Sequence, residues 1–119
     1  MKKTLVLGAS PNPIRFSHKA VKSLVRHGHD VVPIGIREGE IMWQKIIIGK
    51  PKLKDIHTIT LYLNSENQKE YYEYIISLSP KRIIFNPGSE NQELIELAMK
   101  NNIEVTIACT LIMLNSNKY

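Results

Sequence analysis

The sequence predicts an α/β protein, with a three-layer Rossmann-like fold built on a mainly parallel five-stranded sheet. Short apolar runs alternate with segments of helical periodicity along the chain. Most of these runs are apolar at consecutive positions, which is typical of parallel strands buried on both faces. Single helical segments separate most of the runs, and right-handed crossovers of this kind place helices on both sides of a sheet.

Five short runs are predicted to be strands. They cover residues 4–7, 31–34, 58–63, 82–85 and 105–108. The stretch 35–56 interrupts the alternation because it is rich in Gly and Lys. We predict that it is irregular, with one small strand at 46–48 before Pro51.

Three helices are predicted from the spacing of apolar residues, over 17–27, 68–78 and 93–100. Ser17 is expected to cap the first helix, and Gly28 follows its end. The tetrapeptide Ser-Glu-Asn-Gln occurs at 65–68 and again at 89–92, each time between a strand and a helix. Serine followed three residues later by glutamine is a capping-box pattern, so both copies are expected to cap the helices that follow them, with a place at the ligand-facing edge of the sheet as the alternative.

The composition indicates one globular domain over residues 1–119. Hydrophobic residues make up 43% of the chain, enough to bury a sizeable core, yet no apolar run approaches the roughly 20 residues of a membrane helix. The first apolar run is too brief for a signal peptide, so a cytoplasmic location is expected. The lone cysteine, Cys109, excludes an intrachain disulfide, and the four histidines lack the spacing of a metal site.

Positive charge is concentrated in the first half of the chain. Residues 1–54 hold eleven Lys and Arg against three Asp and Glu, whereas residues 55–119 hold five against eight. This polarity suits a partner that carries phosphates, either a phosphorylated cofactor or a nucleic acid, although a solvated basic face is the alternative.

The loop after the first predicted strand has the features of a phosphate-binding loop. Its glycine permits a tight turn, its small alanine and serine let a phosphate approach the backbone, and the following helix presents free N–H groups. Its arginine adds positive charge. Two prolines and the shortage of glycine exclude the dinucleotide-binding pattern Gly-x-Gly-x-x-Gly. The candidate residues are Gly8, Ala9, Ser10, Pro11, Arg15 and Ser17.

The residues after the second strand separate the candidate cofactors. A site for NAD usually places Asp or Glu there to bind the ribose hydroxyls, whereas this chain has Ile36 and Arg37. A guanidinium prefers a phosphate on the ribose, which favours coenzyme A or NADP over NAD. A surface charge without a ligand is the alternative interpretation of Arg37.

Several segments, in order along the chain, resemble the small stand-alone CoA-binding proteins. They are Gly8-Ala9-Ser10-Pro11, Ser17 at the start of the first helix, the run from His29 to Ile34 with Arg37, the Gly88 loop, and Cys109-Thr110-Leu111. That family is similar to the CoA-binding domain of the succinyl-CoA synthetase alpha subunit and shares its Rossmann-like fold. The resemblance extends from Lys3 to about Leu114.

This resemblance implies a place for each end of the cofactor. The adenine nucleotide would lie along Gly8, Ala9, Ser10 and Ser17, with Ile36 and Arg37 near the ribose and its phosphate. The pantetheine arm would pass Tyr62-Leu63-Asn64 and Asn86-Pro87-Gly88, after the third and fourth strands. Common members of the family have a basic pair and a Gln-x-Gly turn at these two places, and this chain departs from both patterns.

Three other side chains have alternative interpretations. Cys109 closes the last strand, where its thiol could meet the sulfur of CoA or receive an acyl group, but a lone cysteine among apolar neighbours is typical of a small buried residue. His18 is expected to be a solvated residue of the first helical turn, with assistance at a phosphate beside Ser17 as the alternative. Trp43 is expected to pack a loop over the sheet, with stacking on adenine as the alternative.

The sequence therefore predicts a module that binds coenzyme A or an acyl-CoA without catalysing a reaction, acting with a protein partner or as a sensor. An enzyme or subunit that binds NADP is one alternative, although so short a chain would supply a substrate pocket only by oligomerising. A basic nucleic-acid-binding module is the other. The few exposed aromatic residues near the lysines argue against single-strand stacking.

Overall fold

The structure is a computed structural model that describes every residue from Met1 to Tyr119. The strands are β1 (Thr4–Leu7), β2 (Val31–Ile34), β3 (Glu40–Ile41), β4 (Gln44–Lys45), β5 (Thr58–Leu61), β6 (Arg82–Phe85) and β7 (Glu104–Ile107). The helices are α1 (Phe16–Arg26), α2 (Ser65–Gln68), α3 (Tyr72–Leu78), α4 (Gln92–Lys100) and α5 (Thr110–Asn115), with a 3-10 turn at Lys69–Tyr71 between α2 and α3. None of these helices is long and apolar enough to cross a membrane.

Five strands form one parallel sheet in the order β2-β1-β5-β6-β7, which confirms the predicted three-layer, Rossmann-like α/β fold. The chain crosses from β1 to β2 on one side and returns to β5 on the other side of β1. Because crossovers are right-handed, the helices of the two halves cover opposite faces.

The core has two parts, one on each face of the sheet. Alternate residues of a strand point to opposite faces, so Leu5 and Leu7 of β1 join one cluster while Val6 joins the other. The first cluster is closed by α3 and α4 through Ile75 and Leu94. The second is closed by α1 and α5 through residues that include Val21, Leu24 and Leu114.

The segment 35–56 differs from the prediction. It contains a short hairpin of β3 and β4, joined by Met42 and Trp43 in the left-handed region, with φ values of 46° and 67°. The predicted strand at 46–48 is reduced to a single parallel bridge between Ile47 and Ile34. Trp43 does not pack over the sheet, because the tip of the hairpin leaves it 84% exposed.

The strand and helix ends also differ in places. β5 ends at Leu61 rather than at residue 63, and β7 covers 104–107 rather than 105–108. The second predicted helix begins earlier, at Ser65, and is interrupted by the 3-10 turn. Helix α5 was not predicted.

The predicted serine caps are wrong. The Asn64 side chain accepts a hydrogen bond from Asn67 N at the start of α2, and that of Asn91 accepts one from Leu94 N at the start of α4. Asparagine is an equally strong cap and lies directly before each helix. Ser17 is no cap either, because α1 begins at Phe16 and buries Ser17 in its first turn. Gly28 does follow the end of α1, with a φ of +80°.

Candidate functional site

A cleft opens at the carboxyl ends of β1, β2, β5 and β6. The strand order reverses here, because β2 lies on one side of β1 and β5 on the other. Adjacent loops separate at such a switch point and leave room for a ligand. The cleft has a volume of about 610 Å³. It is formed by the loops after these four strands, the first turn of α1, and the α2 segment with its 3-10 turn.

Two glycines let three of these loops approach one another closely. A Cβ atom on Gly8 would lie 3.0 Å from the carbonyl carbon of Tyr62, and one on Gly35 would lie 2.2 Å from the carbonyl oxygen of Ala9. Gly8 also has a φ of +100°, which favours glycine. The amides of Gly8 and Ala9 both donate to the carbonyl oxygen of Ile34, at 2.9 Å. The floor of the cleft is therefore packed backbone.

The first loop is held by its own polar groups. Asn12 N donates to Ser10 Oγ at 3.1 Å, and Ile14 N donates to Asn12 Oδ1 at 3.1 Å. The carbonyl oxygen of Asn12 accepts from Arg15 N at 3.1 Å. These bonds fold the loop into consecutive turns directly before α1.

His18 is buried rather than solvated, so that expectation is wrong. It is only 6% exposed, and its Nδ1 lies 2.9 Å from the carbonyl oxygen of Ser10. The loop folds back over the first turn of α1, and this places the imidazole between helix and loop. His18 thus supports the site from below and does not line the cleft.

The start of α1 presents backbone donors without acceptors. Lys19 N donates to Arg15 O, but the N–H groups of Phe16, Ser17 and His18 have no hydrogen-bond partner. No side chain caps this helix and its first turn contains no acidic residue. Free amides and the positive end of the helix dipole favour an anion at this position.

The two ends of the cleft differ in charge. Arg15 and Arg37 line the end formed by the loops after β1 and β2. The end formed after β5 and β6 is lined by neutral amide and hydroxyl groups together with one carboxylate, Glu70. Lys50 contacts this end from outside the cleft. Its Nζ donates to the backbone carbonyl oxygen of Glu70 at 2.6 Å and lies 5.2 Å from the centre of the Tyr71 ring.

Nearly all the residues predicted to bind the cofactor line this one cleft. They are Gly8, Ala9, Ser10, Pro11, Arg15, Ser17, Ile36, Arg37, Tyr62, Leu63, Asn64, Pro87 and Gly88.

Asn86 is the predicted binding residue that lies outside the cleft. Its side chain is buried and donates to Thr60 Oγ1 at 2.6 Å and to Leu61 O at 2.9 Å. Its Oδ1 accepts from Thr110 N at 2.9 Å, at the start of α5. Through these contacts, Asn86 connects β5, β6 and α5 beneath the cleft.

Several lining residues were missed by sequence reasoning. They are Asn12, Phe16, Gly35, Asn67, Glu70, Tyr71 and Ser89. Phe16 and Gly35 adjoin predicted residues, and this adjacency is the sequence signal that indicates them. Asn67 and Ser89 lie in the repeated tetrapeptide, which we interpreted as capping, with a place at the ligand-facing edge as the alternative. Glu70 and Tyr71 reach the cleft through the 3-10 turn, which no local pattern indicates.

Cys109 lies outside the cleft lining and is half-buried, directly before α5. The hydroxyl of Tyr62 is buried near Cys109, Thr60 and Thr110 and has no hydrogen-bond partner of normal geometry. Burial accordingly raises the pKa of Tyr62. The phenol is neutral at physiological pH and is not poised to act as a base.

Comparisons with known proteins give a consistent result. A family model described as a CoA binding domain matches residues 2–115. The crystal structure of an uncharacterized protein is 47% identical, covers 100% of this chain and 98% of its own, and superposes with a TM-score of 0.98. The chain matches no curated protein.

More distant solved structures share the fold. A hypothetical protein from Pyrococcus horikoshii OT3 is 24% identical with a TM-score of 0.85, the match covering 98% of this chain and 82% of that one. A protein from Thermus thermophilus is 19% identical with a TM-score of 0.85, the match covering 99% and 90%.

Proposed function

Because the chain belongs to the CoA binding domain family, we propose that its cleft binds coenzyme A or an acyl-CoA and that the protein is a non-catalytic binding or regulatory module. The observation on which the proposal rests is the uncapped start of α1, which opens into the same cleft as Arg15 and Arg37. Coenzyme A carries a pyrophosphate and a 3′-phosphate, and this end of the cleft supplies matching donors.

The arginine-lined end of the cleft offers two kinds of partner for the phosphate groups of coenzyme A. The free amides of Phe16 and Ser17, with Arg15 beside them, suit the pyrophosphate, because a helix start and a guanidinium both bind phosphate oxygens. Arg37, after β2, suits the 3′-phosphate on the ribose.

The backbone floor of the cleft also fits such a ligand. Side chains at Gly8 and Gly35 would clash with the neighbouring backbone and force the loops apart. With glycine at both positions, the loops stay close and leave a narrow cradle through which a phosphate can approach the free amides at the start of α1. A volume of about 610 Å³ is also in the usual range for cofactor sites.

The end of the cleft formed after β5 and β6 suits the pantetheine arm. This arm carries two amides and no charge, so it requires hydrogen-bonding groups rather than ion pairs. The loops from Tyr62 to Asn64 and at Pro87–Gly88 supply backbone groups and an amide side chain there. They do so in place of the basic pair and the Gln-x-Gly turn of common family members.

The composition of the lining supports binding rather than catalysis. It contains no histidine, cysteine or lysine, and its one carboxylate is Glu70. Nucleophilic catalysis ordinarily pairs a nucleophile with an activating base within hydrogen-bonding reach, and general acid–base catalysis most often uses histidine. We therefore propose that the bound form acts on a protein partner or reports the supply of CoA, in the cytoplasm, as a single-domain protein.

Calorimetric titration with coenzyme A, NADPH and a single-stranded oligonucleotide tests this proposal. We expect saturable heat with coenzyme A and none with NADPH. Selective binding of NADPH would replace the proposal by a dinucleotide site, and tight, steeply salt-dependent binding of the oligonucleotide alone would indicate a nucleic-acid module. Native mass spectrometry of freshly purified protein adds an independent check, since a retained adduct of CoA mass is expected.

A further inference from the structure

The two copies of the Ser-Glu-Asn-Gln tetrapeptide are bonded to each other. The Nε2 of Gln68, the last residue of the first copy, donates to the carbonyl oxygen of Ser89, the first residue of the second copy, at 2.8 Å. The Oε1 of Gln68 accepts from Asn91 Nδ2, also at 2.8 Å. Since Asn64 and Asn91 cap the helices, capping does not explain this pairing.

Gln68 joins the loops after β5 and β6, which form one end of the cleft. Its Nε2 also donates to the carbonyl oxygen of Leu63, at 2.8 Å. Leu63 follows β5 and Ser89 follows β6, and both line the cleft. Gln68 itself is fully buried behind them. One amide group therefore holds two adjacent loops at a set separation.

Further buried contacts support this connection. Ser89 Oγ donates to the carbonyl oxygen of Asn86 at 2.7 Å, and Asn91 Nδ2 also donates to Tyr72 Oη at 2.8 Å. A buried polar network whose members are all bonded holds a single arrangement, whereas loss of one member leaves its partners unpaired. Gln68 is the member that connects the β5 loop to the β6 loop.

The cationic end of the cleft is held by other contacts. Gly35 lies against Ala9, the amides of Gly8 and Ala9 donate to the carbonyl oxygen of Ile34, and His18 bonds to Ser10. No hydrogen bond joins Gln68 to any of these residues. A change at Gln68 should therefore disturb one end of the cleft and leave the other in place.

We propose that Gln68 is a positioning residue that sets the specificity of the cleft for the pantetheine arm. By fixing the Leu63 and Ser89 loops, it forms the wall against which the arm lies, and it thereby distinguishes coenzyme A from ligands that carry only the phosphorylated adenosine. This inference rests on the proposed function. It predicts that Gln68 contributes to the affinity for coenzyme A but not to the affinity for adenosine 3′,5′-bisphosphate.

Three variants test the proposal by calorimetric titration with coenzyme A and with adenosine 3′,5′-bisphosphate. Gln68→Met keeps the length of the side chain and removes all of its hydrogen bonds. Gln68→Glu keeps an acceptor for Asn91 but cannot donate to the two carbonyl groups when ionised. Gln92→Met is the matched control, because Gln92 occupies the same place in the second tetrapeptide and is exposed.

We expect both Gln68 variants to bind coenzyme A about tenfold more weakly, because each leaves buried carbonyl groups unpaired and releases the two loops. Their affinity for the bisphosphate should stay within about twofold of the wild type, and Gln92→Met should leave both affinities unchanged. Equal weakening of both ligands would overturn the proposal in favour of a general structural role. Unchanged binding of coenzyme A by both variants would overturn it as well.

Hydrogen exchange of the wild-type protein tests the proposal without any variant. We expect coenzyme A, but not the bisphosphate, to protect amides in residues 62–68 and 86–91. Equal protection by both ligands would overturn the inference while leaving the proposed function in place. Absence of coenzyme A binding by the wild type would overturn the proposed function, and the inference with it.

Discussion

His18 Nδ1 lies 2.9 Å from the carbonyl oxygen of Ser10, and this contact closes the first loop onto α1. A carbonyl oxygen only accepts, so Nδ1 carries the hydrogen and donates it. Ser10 lines the cleft on one side of the contact, and the free amide of His18 belongs to the helix start on the other. The imidazole therefore holds the proposed phosphate site together.

Replacement of His18 by alanine should weaken every ligand that uses the phosphate end. A buried hydrogen bond contributes about 1 kcal/mol, so we expect coenzyme A and adenosine 3′,5′-bisphosphate each to bind about fivefold more weakly. Calorimetric titration measures both. His27→Ala is the control, since His27 is exposed and its Nδ1 contacts Ser23 O of its own helix. A similar loss in that variant, or a loss confined to coenzyme A, contradicts this role of His18.

Gly35→Ala should disturb the site through a steric clash. The added Cβ would lie 2.2 Å from the carbonyl oxygen of Ala9, so the loops must separate. We expect the free energy of unfolding to fall by about 1–3 kcal/mol, as for other overpacked positions, and the affinity for coenzyme A to fall with it. Denaturant titration and calorimetry measure these two quantities.

Gly49→Ala separates this clash from the effect of backbone strain. Gly49 has a φ of +98°, but a Cβ there would meet no atom within 4 Å. The left-handed conformation costs a non-glycine residue about 1–2 kcal/mol, so stability should fall while the affinity for coenzyme A stays unchanged. If both glycine variants lose affinity equally, the cradle formed by Gly35 is not specific to the site.

Arg37→Ala should distinguish coenzyme A from dephospho-CoA. Only coenzyme A carries the 3′-phosphate, and a hydrogen bond to a charged group contributes about 1.5–3 kcal/mol, so a loss of about tenfold or more is expected for coenzyme A alone. Lys52→Ala removes one exposed charge from the same half of the chain, away from the cleft, and should change neither affinity. Should Arg37→Ala weaken both ligands equally, Arg37 contributes only general charge.

Two histidines at the opposite end of the sheet should make stability depend on pH. Burial, followed by nearby positive charges that include Lys2, lowers the pKa of His29 below its usual 6.5. Burial, followed by the charge of Arg82, does the same for His57. His29 Nδ1 accepts from Lys2 N at 3.0 Å, and protonation at Nδ1 would break this bond.

The sign follows from proton binding in the two states. The unfolded chain takes up protons near pH 6.5 while the folded protein does not yet do so, so the free energy of unfolding falls as the pH drops below 6.5. Denaturant titrations from pH 7.5 to about pH 5 measure the slope. The double variant His29→Asn with His57→Asn should flatten it. A double variant with the wild-type slope would assign the pH dependence to other groups.

The sequence determined the elements whose signals are local. Strands β1, β2 and β6 have the predicted bounds, because a strand buried on both faces must be apolar at consecutive positions. The sequence also determined the shape of the first loop, because its glycine and the start of α1 fix the geometry of the loop within ten residues. This loop lines the cleft because a parallel sheet brings the carboxyl ends of neighbouring strands to one edge.

Tertiary structure decided which polar side chains serve the site and which serve the scaffold. Gln68 and Gln92 end identical tetrapeptides, yet one is fully buried between two loops and the other is exposed. Asn86 likewise lies outside the cleft and bonds to residues of β5. His18 also lies outside it and bonds to Ser10 in the preceding loop. The local sequence shows which hydrogen bonds a side chain can make. The partner that it bonds depends on which distant segments the packed sheet brings within 3 Å.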